Sequence, residues 1–162
     1  MQNIDLICVG KLNAKYFAEG VAEYQKRLAA FASFRIVELP EEKTRREERL
    51  RRRGEKGAGQ RGQSHPRQRP QGARPSSPCA SREKQISSEE LAQFLADRAN
   101  SGAGDVAFVI GSSHGLSDEV KRAAALRFSM GRITMPHQLA RLVLTEQIYR
   151  ACTINAGMKY HK

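Results

Sequence analysis

Charged side chains within an apolar stretch near the C-terminus are the residues of this sequence best suited to chemistry. The sixteen residues after Pro136 contain neither glycine nor proline, and apolar residues surround most of the predicted helix. Such a helix is expected to lie in a core, in a subunit interface, or in both. His137, Arg141, Glu146 and Arg150 must then have partners, because an unpaired buried charge is costly. Glu146 and Arg150 are four residues apart, a spacing that suits a structural ion pair and an active site equally well.

A small-residue loop is the second candidate site. Gly111–Gly115 follows Val106–Ile110, a continuous apolar run typical of a central parallel strand. Open parallel sheets bind ligands at the carboxyl ends of their strands, and a glycine there lets the backbone approach the ligand closely. The loop is not GxGxxG, and Asp118 and Glu119 at the start of the next helix would repel phosphate. Binding of a dinucleotide is therefore disfavoured.

The elements that must position these residues begin with a strand, a helix and a second strand. Ile4–Gly10 is a short apolar run, Lys15–Ala30 has apolar residues at helical spacing, and Ser33–Leu39 alternates until Pro40. This order is typical of a parallel α/β sheet.

The second half of the chain resumes the same alternation of strands and helices. The predicted elements are a helix after the S-x-x-E capping box of Ser87 and Glu90, a helix from Ser117 to Ala125, and short strands at Phe128–Met130 and Arg132–Met135. Pro136 suits the first turn of the last helix, because its missing N–H would have no partner there.

The formal net charge of +11 suggests an anionic partner, but the charge is concentrated in one segment. Thr44–Arg82 holds 12 of the 28 Lys and Arg and 3 of the 17 Asp and Glu, so it supplies +9. The 3 cysteines show no metal-ligand or CxxC spacing, which predicts a reducing compartment and no metal. No apolar run has the length of a membrane span, and Met1–Leu12 lacks a signal-peptide pattern. A cytoplasmic protein without a membrane partner is expected.

The segment Thr44–Arg82 differs in composition from the rest of the chain. Leu50 is its only large aliphatic residue, it has no aromatic residue, and it holds four of the six prolines. Such a sequence buries too little apolar surface to offset its ordering entropy, so it is predicted to be disordered. One alternative is a basic RNA-binding arm. We favour a frameshift, because Ser76–Lys84 read one base earlier, with TCN serine codons, gives the strand-like VVALRIEGK.

The sequence resembles the RlmH family. The resemblance rests on TMPHQLARLVLTEQIYRA and the later KYHK, and on Val9–Leu12, Ala22–Leu28 and Phe108–Ser112 in matching order. These proteins are SPOUT-class methyltransferases that methylate N3 of a pseudouridine in large-subunit ribosomal RNA. The resemblance covers Met1 to about Lys43 and Gln85 to Lys162.

The resemblance implies an α/β fold of the knotted SPOUT type, with a parallel sheet flanked by helices. It implies one domain over residues 1–162, interrupted by 44–82, and a homodimer that acts on 23S rRNA in the ribosome. The apolar last helix supports such a dimer. The alternative function is that of a non-catalytic RNA-binding protein with Thr44–Arg82 as its tether, which would need no cofactor.

The resemblance also implies S-adenosylmethionine as cofactor and assigns site residues. The resemblance implies that three parts of the chain bind the cofactor. They are Gly111, a loop around Pro78–Cys79, and the residues Met130, Gly131, Arg132, Ile133, Thr134 and Met135. Ser112 replaces a second glycine that the family usually has. Methylation at N3 requires loss of its proton, and the candidate catalytic residues are Glu146, Arg150, Tyr160 and His161. The resemblance leaves the base among them unassigned, and His137 is expected to be structural.

Overall fold

The computed structural model describes residues 1–40, 83–102, 104–111 and 115–161. The anomalous segment Thr44–Arg82, the cofactor loop expected around Pro78–Cys79, Ser112 and Lys162 lie outside the described residues. In chain order the elements are β1 (Gln2–Val9), α1 (Lys15–Leu28), β2 (Ala32–Leu39), β3 (Lys84–Gln85), α2 (Ser88–Asn100), β4 (Val106–Ile110), α3 (Asp118–Ala123), β5 (Phe128–Ser129) and α4 (His137–Asn155).

A parallel sheet confirms the predicted α/β class. Within the described residues β1 is the central strand, with β2 on one side and β4 on the other, and both run parallel to it. The apolar run of β4 therefore has one strand partner there rather than the two expected of a central strand. A separate short parallel pair joins β3 to β5, with Lys84 opposite Phe128.

One face of the sheet packs against the helices and forms the core. Alternate residues of β1, namely Ile4, Leu6 and Cys8, are fully buried, as the two-residue period of a strand requires. Phe108 of β4 and Ile148 of α4 belong to the same apolar cluster. Burying one large aliphatic or aromatic side chain stabilises the fold by about 1.5–3 kcal/mol, so this cluster is the main support for the elements that carry the site.

The helix boundaries follow their local signals. The capping box before α2 is confirmed, since Ser87 accepts from the Glu90 backbone N–H and the Glu90 side chain accepts from that of Ser87. Ser117 caps α3 as predicted, but this helix ends at Ala123, two residues early, because Ala124 is extended.

The last helix lies inside the subunit, between α1 and α2. Its apolar residues are used there. Ile148 and Ala151 are fully buried, and Leu142 packs so closely on Gly20 of α1 that an added Cβ would lie 3.0 Å from it. The subunit core thus accounts for part of its apolar character, whereas Leu139, Leu142 and Val143 remain partly exposed.

The strand predicted at Arg132–Met135 is wrong, because these residues form a loop. The loop begins at Gly131, whose φ of +133° favours glycine and turns the chain after β5. The Ile133 side chain is 82% exposed, so the alternation that predicted a strand does not correspond to a buried face.

Candidate active site

The C-terminal residues fold back onto α4 because of how that helix ends. The Met158 N–H donates to the Thr153 carbonyl and the Gly157 N–H donates to that of Ile154, both at 2.9 Å. This pattern is a Schellman motif, which needs a left-handed residue, and Gly157 supplies it with φ of +66°. The chain therefore reverses direction and returns Tyr160 to α4 and His161 to the first turn of α2.

Glu146 is the centre of the side chains brought together there. Its Oε1 accepts from Nη2 and Nε of Arg150, at 2.6 and 3.0 Å, and from the Tyr160 hydroxyl at 3.2 Å. Its Oε2 accepts from Nε2 of Gln147 at 2.7 Å. The expected Glu146–Arg150 pair thus exists, and it forms part of a network that includes the tail.

Tyr160 is held by aromatic and cationic contacts as well. The Arg150 guanidinium lies 4.8 Å from the centre of its ring, and the Tyr149 ring meets it edge-on at 4.9 Å. Burial, together with a hydrogen bond to Tyr24 and the charge of Glu146, raises the pKa of Tyr160 to about 12. The phenol therefore keeps its proton near neutral pH and acts as a hydrogen-bond donor.

His161 contacts a residue that sequence reasoning missed. Its Nε2 lies 2.6 Å from Oε1 of Glu89, in the first turn of α2. Hydrogen bonds, first from the Ser87 side chain, then from the Glu89 backbone and His161, lower the pKa of Glu89 to about 2. The sequence signal for Glu89 was its position. It is an acidic residue next to the capping box of Ser87 and Glu90, and it makes neither of the two hydrogen bonds that define the box. We call Glu146, Arg150, Tyr160 and His161 the tail cluster.

The expected cofactor residues lie in two loops, which we call the loop site: Gly111 after β4, and Met130–Met135 after β5. The rings of Phe108 and Phe128 meet edge-on at 6.4 Å, so the strands that precede these loops are neighbours. Met130 and Ile133 are exposed although they are large and apolar. Ser129 stabilises the second loop by donating from its hydroxyl to the Gly131 carbonyl at 2.7 Å.

Position 111 requires glycine because the backbone of its own loop leaves no room for a Cβ. An added Cβ would lie 2.8 Å from the Gly115 carbonyl carbon and 3.0 Å from the Leu116 nitrogen. A side chain here would have to push the backbone of the loop apart. This close approach is the reason for a glycine that the sequence suggested, and it shapes the loop at the carboxyl end of β4.

Arg141, singled out as a buried charge, has a carboxylate and a carbonyl partner, while its buried Nε has no hydrogen-bond partner among the described residues. It is 2% exposed, and it donates to Oε1 of Glu38 at 2.6 Å and to the Gly10 carbonyl at 2.8 Å. Burial raises the pKa of Cys8 beside it, and Arg141 opposes that shift. Arg141 thus ties α4 to the ends of β1 and β2 and is structural, whereas His137 is exposed at the start of α4.

The described residues contain neither a candidate metal site nor a candidate membrane span. Among residues 1–40, 83–102, 104–111 and 115–161, no group of three or more His, Cys, Asp or Glu side chains could hold a metal ion. No helix in that part of the chain is long and apolar enough to cross a membrane.

Comparisons with known proteins agree over nearly the whole chain. A family model described as "Predicted SPOUT methyltransferase" matches residues 2–161. Three similar proteins bear the name "Ribosomal RNA large subunit methyltransferase H". The protein from Lactobacillus delbrueckii subsp. bulgaricus is 44% identical over 167 residues, covering 99% of each chain. That from Streptococcus uberis is 42% identical over 168 residues, covering 98% of this chain and 99% of the relative. That from Lactiplantibacillus plantarum is 46% identical over 169 residues, covering 99% of each.

Proposed function

The chain belongs to the SPOUT methyltransferase family, and on that premise we propose that it methylates N3 of a pseudouridine in 23S rRNA of the ribosome, with S-adenosylmethionine as methyl donor. Its relatives named as large-subunit rRNA methyltransferases support the substrate class. The observation in the structure that carries the proposal is the return of the tail, which brings Tyr160 onto Glu146 and Arg150 and His161 onto Glu89. A frayed tail would leave Tyr160 and His161 apart from these partners.

The tail cluster offers the groups that this reaction needs. Removing the N3 proton leaves an anionic imide, which a fixed positive charge and a hydrogen-bond donor stabilise. Arg150 supplies the charge, because its two bonds to Glu146 fix the guanidinium. The Tyr160 hydroxyl stays protonated near neutral pH, since the pKa of Tyr160 is raised to about 12, and it becomes the donor once its proton turns from Glu146 to the substrate.

The geometry also separates the two candidate bases. Both carboxylate oxygens of Glu146 already accept hydrogen bonds from Arg150, Tyr160 or Gln147, so a substrate proton would have to displace one of them. The His161 ring has one nitrogen on Glu89 and a second, Nδ1, with no hydrogen-bond partner among the described residues. We therefore assign Glu146 to orientation and His161 to the role of base.

The loop site fits a cofactor with an apolar part and a polar main-chain contact. Met130 and Ile133 leave apolar surface exposed beside Gly131, and Gly111 keeps its loop close to the carboxyl end of β4. We propose that Gly111, Met130, Gly131, Arg132, Ile133, Thr134 and Met135 hold S-adenosylmethionine. When bound, the cofactor supplies an electrophilic methyl group on a sulfonium. The protein residues orient it and exclude water.

Five further properties are part of the proposal: the location, the single domain, the knot, the dimer and the origin of segment 44–82. The chain acts in the cytoplasm, as one domain over residues 1–162, with the knot typical of SPOUT proteins. It acts as a homodimer, whose second subunit completes each site. The segment 44–82 is a frameshift product, so resequencing the coding DNA should reveal a one-base change and its compensation near Lys84. None of the described residues specifically favours the alternative of a non-catalytic RNA-binding tether.

Methyl transfer to ribosomes tests the proposed function directly. A frame-restored chain should incorporate labelled methyl from S-adenosylmethionine into 23S rRNA, and calorimetry should find one cofactor site per subunit. The chain as written, which carries the frameshifted segment 44–82, should show weak or absent transfer. Deleting Tyr160–Lys162 should abolish transfer and leave cofactor binding intact, because the loop site does not include the tail. Light scattering reports the expected dimer.

The chain as written and a frame-restored chain should be assayed side by side. A frame-restored chain that binds S-adenosylmethionine but transfers no methyl group to 23S rRNA would contradict the proposed substrate. Full activity after the tail deletion would contradict the role of the tail cluster.

A further inference from the structure

We propose that Glu89 is a positioning residue, which holds His161 with its proton on Nε2 and so presents Nδ1 as the nitrogen that accepts the substrate proton. The inference rests on the proposed function, because the orientation of His161 matters to catalysis only if the chain methylates RNA. It adds a residue from α2 to a site otherwise built from α4 and the tail.

The two acidic residues at the start of α2 both contact Ser87, but only Glu89 reaches the tail. Ser87 and Glu90 exchange the two hydrogen bonds of the capping box, and Lys84 donates to Oε1 of Glu90 at 2.6 Å. Glu89, one position earlier, accepts from the Ser87 side chain and also extends to His161, with Oε1 at 2.6 Å from Nε2. The contact is therefore additional to what the helix start needs.

The chemistry of the pair decides which ring nitrogen carries the proton. Because the pKa of Glu89 is lowered to about 2, its carboxylate is ionised near neutral pH and can only accept. Nε2 of His161 must then be the donor in the 2.6 Å contact. In the neutral ring the lone pair is left on Nδ1, which has no partner within the described part of the chain. Protein atoms cover Nδ1 in the absence of RNA, so the atoms over it must move when the substrate binds.

Two consecutive anchors fix the direction of this nitrogen. Tyr160 is bound to Glu146 and to the ring of Tyr149 on α4, while His161 is bound to Glu89 on α2. An acid that orients a histidine through one ring nitrogen while the other takes a proton is the arrangement of catalytic triads. Glu89 would serve in that way without touching the substrate.

The proposed step moves one proton from N3 to His161 and one methyl group from the sulfonium donor to N3. Nδ1 of His161 accepts the proton from N3, and the electron pair left on N3 forms the new bond to the methyl carbon. The pair of the broken sulfur–carbon bond stays with the sulfur of the sulfonium donor. The positive charge that the imidazolium gains faces the ionised Glu89, which stabilises it.

Glu89→Ala and Glu89→Gln separate positioning from a mere charge effect. Glutamine keeps an oxygen that accepts from Nε2 and alanine removes it. Glu89→Ala should lower kcat for methyl transfer by about 10- to 100-fold, a part of the 10²–10⁴-fold that a general base supplies, with KM for ribosomes and cofactor unchanged. Glu89→Gln should recover most of that loss. Asp97→Ala is the matched control, because the Asp97 side chain lies about 12 Å farther along the same helix and accepts from Gln93 rather than from the tail.

A spectrum tests the contact independently of activity. In nitrogen–proton correlation spectra, with His161 assigned by its loss in His161→Gln, the wild type should show the proton on Nε2 and slow exchange with water. Glu89→Ala should exchange fast and Asp97→Ala should match the wild type.

A proton on Nδ1 in the wild type, or unchanged kcat in Glu89→Ala, would overturn the inference. So would equal losses in both Glu89 variants. A wild type without transfer activity but with the slow Nε2 proton would overturn the proposed function instead, and with it the catalytic part of this inference, but not the contact.

Discussion

The tail cluster and the loop site are built in different ways. In the tail cluster, Glu146 and Arg150 of a buried helix meet Tyr160 of the returning tail through an ion pair, a hydrogen bond and a ring contact, while His161 contacts Glu89 of α2. In the loop site, glycines shape the main chain, and the apolar side chains of Met130 and Ile133 remain exposed. The first site has its partners within the protein, and the second leaves apolar surface for a ligand to cover.

This difference implies a division of work between the two sites. Groups that handle a proton must be held in place before the substrate arrives, because misplacement by about 1 Å can cost 10²-fold in rate. A cofactor loop gains by staying open, since the bound cofactor supplies the missing contacts and stabilises the protein by mass action. Changes in the tail cluster should therefore affect the rate, and changes in the loop site should affect cofactor affinity.

The largest effect is expected from Glu146→Ala. The substitution removes the acceptor of both Arg150 and Tyr160, so kcat should fall by roughly 10²-fold, comparable to the loss of one electrostatic stabilising group. Stability should fall by about 1.5–3 kcal/mol, as for loss of hydrogen bonds to a charged group. Calorimetric affinity for S-adenosylmethionine should stay the same.

Glu23→Ala is the control for this prediction. Glu23 forms an ion pair with Arg27 at the same four-residue spacing, at 2.8 Å, but on the exposed surface of α1. Its loss should cost no more than about 1 kcal/mol and leave kcat unchanged. If Glu146→Ala lowered cofactor affinity as much as it lowered kcat, the two sites would not be separable.

An intermediate effect is expected at the loop site from Gly111→Ala. The new Cβ would lie 2.8 Å from the Gly115 backbone, so the loop must shift. Affinity for S-adenosylmethionine should fall by at least about tenfold, equivalent to 1.4 kcal/mol. The contacts of the tail cluster should persist, which the His161 spectrum would report.

Gly104→Ala is the matched control, because an added Cβ there has no atom within 4 Å and the backbone has no unusual φ. It should bind the cofactor as the wild type does. Equal cofactor affinity in Gly111→Ala and the wild type would remove Gly111 from the loop site.

The smallest effect concerns the pH dependence of stability. The folded-state pKa of Glu89 is about 2 against an ordinary 4.5, so folding favours the ionised form. Its contribution is complete above pH 4.5 and is lost as the pH falls toward 2. The difference in Tm between wild type and Glu89→Gln should therefore shrink over that interval. Parallel Tm curves from pH 5 to pH 2 would show that Glu89 has no such partners in solution.

Much of the fold was predictable because its signals are local. The capping box of Ser87 and Glu90, the apolar period of α1 and the run of β4 each depend on neighbouring residues. The strand predicted at Arg132–Met135 failed because alternation alone does not provide a partner strand or a buried face. The dimer inferred from the apolar last helix stays a prediction, because α4 buries part of its apolar surface within the subunit and leaves Leu139, Leu142 and Val143 partly exposed. Periodicity predicts burial without saying against which surface.

The site was predictable only in part. The spacing of Glu146 and Arg150 predicted their pair, since residues four apart meet on a helix. The family resemblance, rather than any local pattern, pointed to Tyr160 and His161. Glu89 was missed, because 72 residues separate it from His161 and no sequence period relates them.

The sequence by itself determined the α/β class, the helix starts and the family, because hydrophobic period, capping residues and motifs are all written along the chain. Only the tertiary structure decided that α4 is buried within its own subunit, that Gly111 is required by the backbone of Gly115, and that His161 meets Glu89. The reason is the same in each case. These contacts join residues whose proximity arises when the helices pack on the sheet and the chain reverses at Gly157.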